Sequence, residues 1–109
     1  MEYINKIELQ GVIGSTAVSA YNKKRVVNFT LCTEYASRAA DGSAVVECTW
    51  HNCTAFENKD IPAEVINALD KGVFVHVEGR LRCKIYTTAD GETKRYTDIF
   101  ISKLEIVQP

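Results

Sequence analysis

The chain lacks most of the patterns that specialised functions require. Its 109 residues contain two prolines, one tryptophan and one methionine, and none of its six glycines falls in a phosphate-cradling loop. No apolar run approaches the ~20 residues needed to cross a bilayer. The opening Met1-Glu2-Tyr3-Ile4-Asn5-Lys6 lacks the basic start and apolar stretch of a secretion signal, so the cytoplasm is the expected compartment. Charge of one sign is not in excess: 13 Lys and Arg against 14 Asp and Glu leave a net charge of -1. That excludes a bulk polycation, and any affinity for nucleic acid must come from how charge is spread over faces. The four cysteines, Cys32, Cys48, Cys53 and Cys83, contain no C-x-x-C pair. Without an export signal disulfides are not expected. Cys32 and Cys83 lie in strand-like runs, where a free thiol serves as small apolar filler. The nearest metal-like set, Cys48, His51 and Cys53, divides over both faces of a strand, so no metal or other cofactor is expected. No nucleophile with a base is discernible, and His51 reads as an ordinary strand histidine. The chain is not expected to be an enzyme.

What is present is alternation. From Val73 to Tyr86 the odd positions Val73, Val75, Val77, Gly79, Leu81, Cys83 and Ile85 are apolar apart from one glycine. The even positions Phe74, His76, Glu78, Arg80, Arg82, Lys84 and Tyr86 turn basic and end in a ring. A strand sends these two sets to opposite faces. Such a run would span on the order of 45 Å, too long for one flat strand of a small domain. Gly79 is the expected bend, with the first half in a barrel and the second in a projecting hairpin. Three cations and a ring along one edge suit a polyanion that has flat faces to stack, which describes single-stranded nucleic acid.

The other elements follow from similar patterns. Asn5 to Ile13 alternates, with Ile7, Leu9 and Ile13 together and Gly11 and Gly14 permitting curvature. A loop is expected through Tyr21-Asn22-Lys23-Lys24-Arg25, then a strand carrying Val27, Phe29, Leu31 and Thr33. A link from Tyr35 to Ala44, turning at Asp41-Gly42, leads to a third strand from Val45 to Phe56. One helix follows: Asp60 as N-cap, Pro62 in the first turn, Ile61, Val65 and Leu69 as the buried stripe, and Gly72 at the left-handed end. After the long fourth strand come a turn at Ala89-Asp90-Gly91-Glu92 and a fifth strand from Tyr96. Leu104 and Ile106 fall out of phase with Thr97, Ile99 and Ile101, which predicts a bulge near Ser102-Lys103. Five strands with a helix between the third and fourth is the order of the OB-fold, a Greek-key barrel. Its strand 2–3 face and its 1–2 and 4–5 loops commonly bind oligonucleotides. Residues 1–109 are expected to form one such domain, all-β apart from the helix. Lys23, Lys24 and Arg25 fall in the 1–2 loop, and Lys84, Tyr86, Lys94, Arg95 and Tyr96 in or beside the 4–5 hairpin.

On the third strand Cys48, Trp50, Asn52, Thr54 and Phe56 share one face. Trp50 and Phe56 would stand roughly 20 Å apart, and bases of an extended strand could stack on each. The mixed polarity of that face leaves Trp50 open to either reading, core or platform. Tyr86 shares its face with Arg80, Arg82 and Lys84 rather than with valines. An odd-length hairpin loop would set Tyr86 opposite Tyr96, and an even one would pair it with Arg95. Tyr35 offers a further ring.

Several segments, in order, resemble the DNA-binding domain of bacterial single-stranded DNA-binding proteins. They are Asn5 to Gly11, Asn28-Phe29-Thr30-Leu31, Thr49-Trp50-His51, Lys71-Gly72, Val77-Glu78-Gly79-Arg80-Leu81-Arg82 and Arg95-Tyr96-Thr97. The resemblance implies base stacking by Trp50, Phe56 and Tyr86, and a strand path lined by Arg80, Arg82 and Lys84. It implies coating and protection of single-stranded DNA in replication, recombination and repair, at the bacterial nucleoid. It also implies assembly as a homotetramer, or as a dimer, through pairing of first strands. The family often has another aromatic after the second strand, where Tyr35 or Ser37 stands. Its members usually continue into a flexible tail that recruits repair enzymes. This sequence stops at Gln108-Pro109, and the expectation is a chain without that tail, so partner enzymes are not implied.

Two rival expectations remain. A primosome accessory adaptor would bind DNA weakly and a helicase or loader tightly. A protein- or oligosaccharide-binding OB module would keep its affinity after Arg80, Arg82 and Lys84 were all replaced by serine.

Overall fold

Alternating side chains build a barrel wall, and in the computed structural model five strands close it; residues 1–107 are described, with Gln108 and Pro109 outside the described residues. The elements are β1 (Ile7–Tyr21), β2 (Lys24–Arg38), β3 (Ala44–Phe56), α1 (Ala63–Ala68), β4 (Phe74–Thr87) and β5 (Thr93–Ile106). Around the barrel they run β1-β2-β3-β5-β4, with β4 returning to β1. All neighbours are antiparallel except β3 and β5, whose short parallel contact pairs Cys53 with Ile99 and Thr54 with Phe100. This is the expected OB-fold, all-β but for one helix.

The core comes from the expected odd faces. Ile13, Val27, Phe29, Leu31, Val75, Val77, Ile99 and Ile101 are all buried. The bulge near Ser102 is present: β5 pairs Ile101 with Gly79 but Lys103 with Glu78, leaving Ser102 over. Its hydroxyl donates to the Glu78 carbonyl at 3.1 Å. The extra residue returns Leu104 and Ile106 to the core side. Gly79 marks the turning point for a steric reason: a Cβ there would lie 2.1 Å from the Phe100 carbonyl oxygen.

Four expectations are corrected. The strand 1–2 loop is not long. Gly14 is absorbed as a bulge between Ile13 and Ser15, β1 runs on to Tyr21, and only Asn22 and Lys23 remain as the turn. Both have positive φ (50° and 65°), the signature of a two-residue hairpin whose twist suits its strands. Likewise β2 continues through Tyr35 to Arg38, so it forms with β3 a long projecting ribbon, like that of β4 and β5. The helix is one and a half turns rather than three. Pro62 is its N-cap, the Asn58 Oδ1 accepts from the N–H groups of Asp60 and Ile61, and Ile66 is buried while Val65 is only half-buried. Asp60 thus belongs to the entry turn, where its N–H is the group being satisfied.

The cysteines depart from expectation too. Cys32 and Cys48 are joined by a disulfide. Cys32 stands opposite Trp50 and Cys48 opposite Glu34, which makes the pair diagonal neighbours on one face with Cα atoms 6.2 Å apart, inside bridging range. Compartment reasoning could not see that register. Cys83, expected as filler, is exposed, and the buried thiol is Cys53. Among the described residues no helix is long and apolar enough to cross a membrane, and no group of three or more His, Cys, Asp or Glu side chains is placed to hold a metal ion.

Candidate nucleic-acid interface

Residues directly opposite on neighbouring strands share a face, so register alone assembles the outer surface of the barrel and its arms. Trp50 lies opposite Cys32, Thr54 opposite Asn28 and Phe56 opposite Val26. Thr54 is level with Phe100 across the parallel contact. On the other arm Arg80 faces Phe100, Arg82 faces Asp98, Lys84 faces Tyr96 and Tyr86 faces Lys94. Trp50, Phe56, Arg80, Arg82, Lys84, Tyr86, Lys94 and Tyr96 therefore occupy one continuous outward face. The hairpin loop, Thr88–Glu92, has five residues, which keeps Tyr86 and Tyr96 on a common side but sets them diagonally rather than opposite. The pairing with Arg95 does not occur; Arg95 faces Ile85.

Tyr35 and Arg95 are not brought to this surface. Tyr35, opposite Glu47, and Arg95 stand on the continuation of the inner face, with Leu81, Cys83 and Ile85. The β1–β2 basic run also divides. Lys23 is in the turn and Lys24 is on the outer side, while Arg25 donates through Nη1 to Asn67 Oδ1 on α1 and through its N–H to Glu57 Oε1 (3.1 Å).

The cations differ in freedom. Arg82 makes two charge-assisted hydrogen bonds to Asp98, Nε to Oδ1 at 2.9 Å and Nη2 to Oδ2 at 2.8 Å. Asp98 is 2% exposed and also accepts from the Thr54 hydroxyl at 2.8 Å. The Arg82 bonds hold the Asp98 carboxyl below the usual carboxylate range and raise the arginine further. Arg82 is thus a pillar whose charge is already matched. Arg80 and Lys84 are exposed, and among the described residues neither has a carboxylate partner. Burial pushes the Cys53 thiol up to about 12, with the Asp98 charge adding, so it is neutral and unreactive. His51 Nε2 lies 2.9 Å from the Thr33 hydroxyl, the ordinary strand role expected of it.

Trp50, left open by periodicity, is 59% exposed. Its ring is seated rather than loose: a Cβ on Gly14 would lie 2.3 Å from Cζ3 and 2.7 Å from Cη2. The missing side chain of Gly14 is the space that the indole edge occupies. Beside it, where β3 parts from β5, a cleft of about 160 Å³ is lined by Trp50, Asn52, Leu81 and Thr97 among others. Tyr86 and Tyr96 are 50% and 42% exposed.

Residues 4–107 match the single-strand binding protein family. The chain belongs to that family. Its relatives include single-stranded DNA-binding proteins of Neisseria meningitidis (29% identical over 107 residues, 95% of this chain and 60% of the relative) and of Bacteroides thetaiotaomicron (29% over 111 residues, 97% and 67%). The chain thus spans about 60% of the length of the Neisseria relative. In fold it resembles the Plasmodium falciparum single-stranded DNA-binding protein solved with single-stranded DNA (TM-score 0.83, 23% identity, 99% of this chain and 98% of the other). It also resembles a deletion mutant of the Thermus aquaticus protein (TM-score 0.78, 17% identity, 96% and 51%).

Sequence reasoning missed two residues of this family member. Gly14 was assigned to curvature, and no pattern within β1 signals that it receives a ring from β3. Phe100 was passed over because apolar neighbours on both sides gave it no polar face. Its ring centroid is 5.5 Å from that of Phe56, and the Cζ atoms of Arg80 and Arg82 lie 4.9 and 4.8 Å from its centre.

Proposed function

We propose that this chain is a non-enzymatic module that binds single-stranded DNA with little sequence preference, protecting it during replication, recombination and repair. Rings meet bases and Lys or Arg side chains meet phosphates. The observation that carries the reading is the single outward face on which Trp50, Phe56, Tyr86 and Tyr96 alternate with Arg80, Lys84 and Lys94, none of which has a carboxylate partner among the described residues. Family membership and the names of the relatives support it. In the same reading the chains assemble as a homotetramer or dimer. From Ile7 to Gln10, β1 pairs among the described residues only with β4, which leaves an edge for a second copy.

Titrating the protein with oligo-dT while following its sole tryptophan tests the reading. Expected are strong quenching and, for about four phosphates neutralised per protomer, a log–log salt slope near -3. Unquenched emission with salt-independent binding would contradict it. Replacing Arg80, Arg82 and Lys84 together by serine should lower affinity and flatten the slope by about 1.4, the share of two cations, because Arg82 is already neutralised. Retained affinity in that variant would favour a protein- or oligosaccharide-binding module instead.

A further inference from the structure

We propose that Phe100 and Arg80 form an additional nucleobase site on the outer face, continuing the strand path from Phe56 into a groove walled by Lys6 and Lys103. The inference rests on the DNA-binding reading and names a subsite within it.

Phe56 and Phe100 make a tilted aromatic pair, at 37° between ring planes, in line with the Trp50 face of β3. Each is half-buried, so the pair is anchored in the barrel while part of it meets solvent. The two guanidiniums near Phe100 play different parts. Arg82 is fixed by Asp98 and braces the ring. Arg80 is exposed and without a carboxylate among the described residues, so its guanidinium sits over Phe100 while remaining accessible to a base. Arginine planes and aromatic rings both stack nucleobases with little regard to sequence.

Next to this unit lies a groove of about 410 Å³, bordered by Asn5, Lys6, Arg80, Phe100, Ser102 and Lys103. Lys6 and Lys103 both lean on Glu78, at 3.5 and 3.7 Å. A phosphate entering there meets three cations against one carboxylate. Beyond Glu78 the outer face turns acidic: Glu8, which bonds His76 at 2.6 Å, and Glu105, opposite His76. The path is therefore bounded, and the Lys6–Lys103 groove is its end.

Titration of the full chain with oligo-dT of increasing length, read by tryptophan emission, tests this with Phe100→Leu, which keeps an apolar side chain, and Arg80→Lys, which keeps the charge. Each variant should bind long oligo-dT about tenfold more weakly, the loss of roughly one stacked base. The occluded length should shorten, while saturating quenching of Trp50 stays at the parent level. Lys6→Gln with Lys103→Gln should lower the salt slope by about 0.7, because Glu78 already offsets one of the two charges. If Phe100→Leu fails to fold, by circular dichroism, Arg80→Lys decides alone. Parent-like affinity and site size in every folded variant would overturn the site while leaving DNA binding in place. A parent that neither binds nor quenches would overturn the underlying reading and this site with it.

Discussion

The two halves of β4 carry the same alternation but do opposite work. From Phe74 to Glu78 the odd residues Val75 and Val77 are fully buried, and the polar residues of the even face are paired: Glu78 holds two lysines and His76 meets Glu8. From Arg80 to Tyr86 the odd residues Leu81 and Ile85 are 50% and 63% exposed, and the even face is basic and aromatic. Between them sit Gly79, pressed against the Phe100 backbone, and the Ser102 bulge on the partner strand. One strand thus stabilises the fold with its first half and, in the proposed reading, offers a binding surface with its second. Position relative to the barrel rim, rather than local pattern, decides which.

Five substitutions sharpen or break that contrast. The largest effect is expected from Asp98→Asn, which removes the charge that fixes Arg82 at the junction of barrel and arm. Loss of a buried pair of this kind costs about 3 kcal/mol, measurable by urea unfolding. Because Asp98 titrates below its ordinary value in the folded state, its contribution is complete above the unfolded value near 4 and is lost as pH falls through the lower folded one. The parent should lose stability in acid below about pH 4 more steeply than Asp98→Asn does. Equal slopes would remove Asp98 from the account.

In the barrel half, Val77→Ala should destabilise by about 2 kcal/mol through the cavity it leaves, with affinity for oligo-dT unchanged under folding conditions. A matching loss of affinity would dissolve the distinction between the halves. Gly14→Ala tests the seat of the indole. The added methyl group displaces the Trp50 ring, so tryptophan emission should shift and binding weaken about tenfold, on the order of 1.4 kcal/mol. An unmoved spectrum would show that the ring does not rest there. The smallest effects are expected on the inner continuation: Tyr35→Ala and Arg95→Ser should each alter affinity by less than about 0.5 kcal/mol. A large loss at either position would put the strand on the wrong face.

How much of this was legible follows from the range of each signal. Alternation is local, so the core residues of β1, β2, β4 and β5 could be assigned in advance, as could the bulge that rephases Leu104. Parity also placed Arg80, Lys84 and Tyr86 together. Register between distant strands is not local. It decides that Cys32 meets Cys48 diagonally, that Gly14 lies under Trp50, and that Phe100 stands between Phe56 and Arg80. The β1–β2 turn was misjudged because Asn22-Lys23 lacks glycine, although both residues adopt left-handed backbone. The helix was overextended because Ile61 and Leu69 are buried from turns outside it.

The central claim is that DNA follows the outer face across the rim. Backbone-amide and side-chain NMR shifts of the labelled protein on adding oligo-dT test it most directly. The account predicts changes concentrated at Trp50, Phe56, Arg80, Lys84, Tyr86 and Tyr96, with Tyr35, Ile85 and Arg95 little affected. Changes confined to the second group, with the first unmoved, would contradict it.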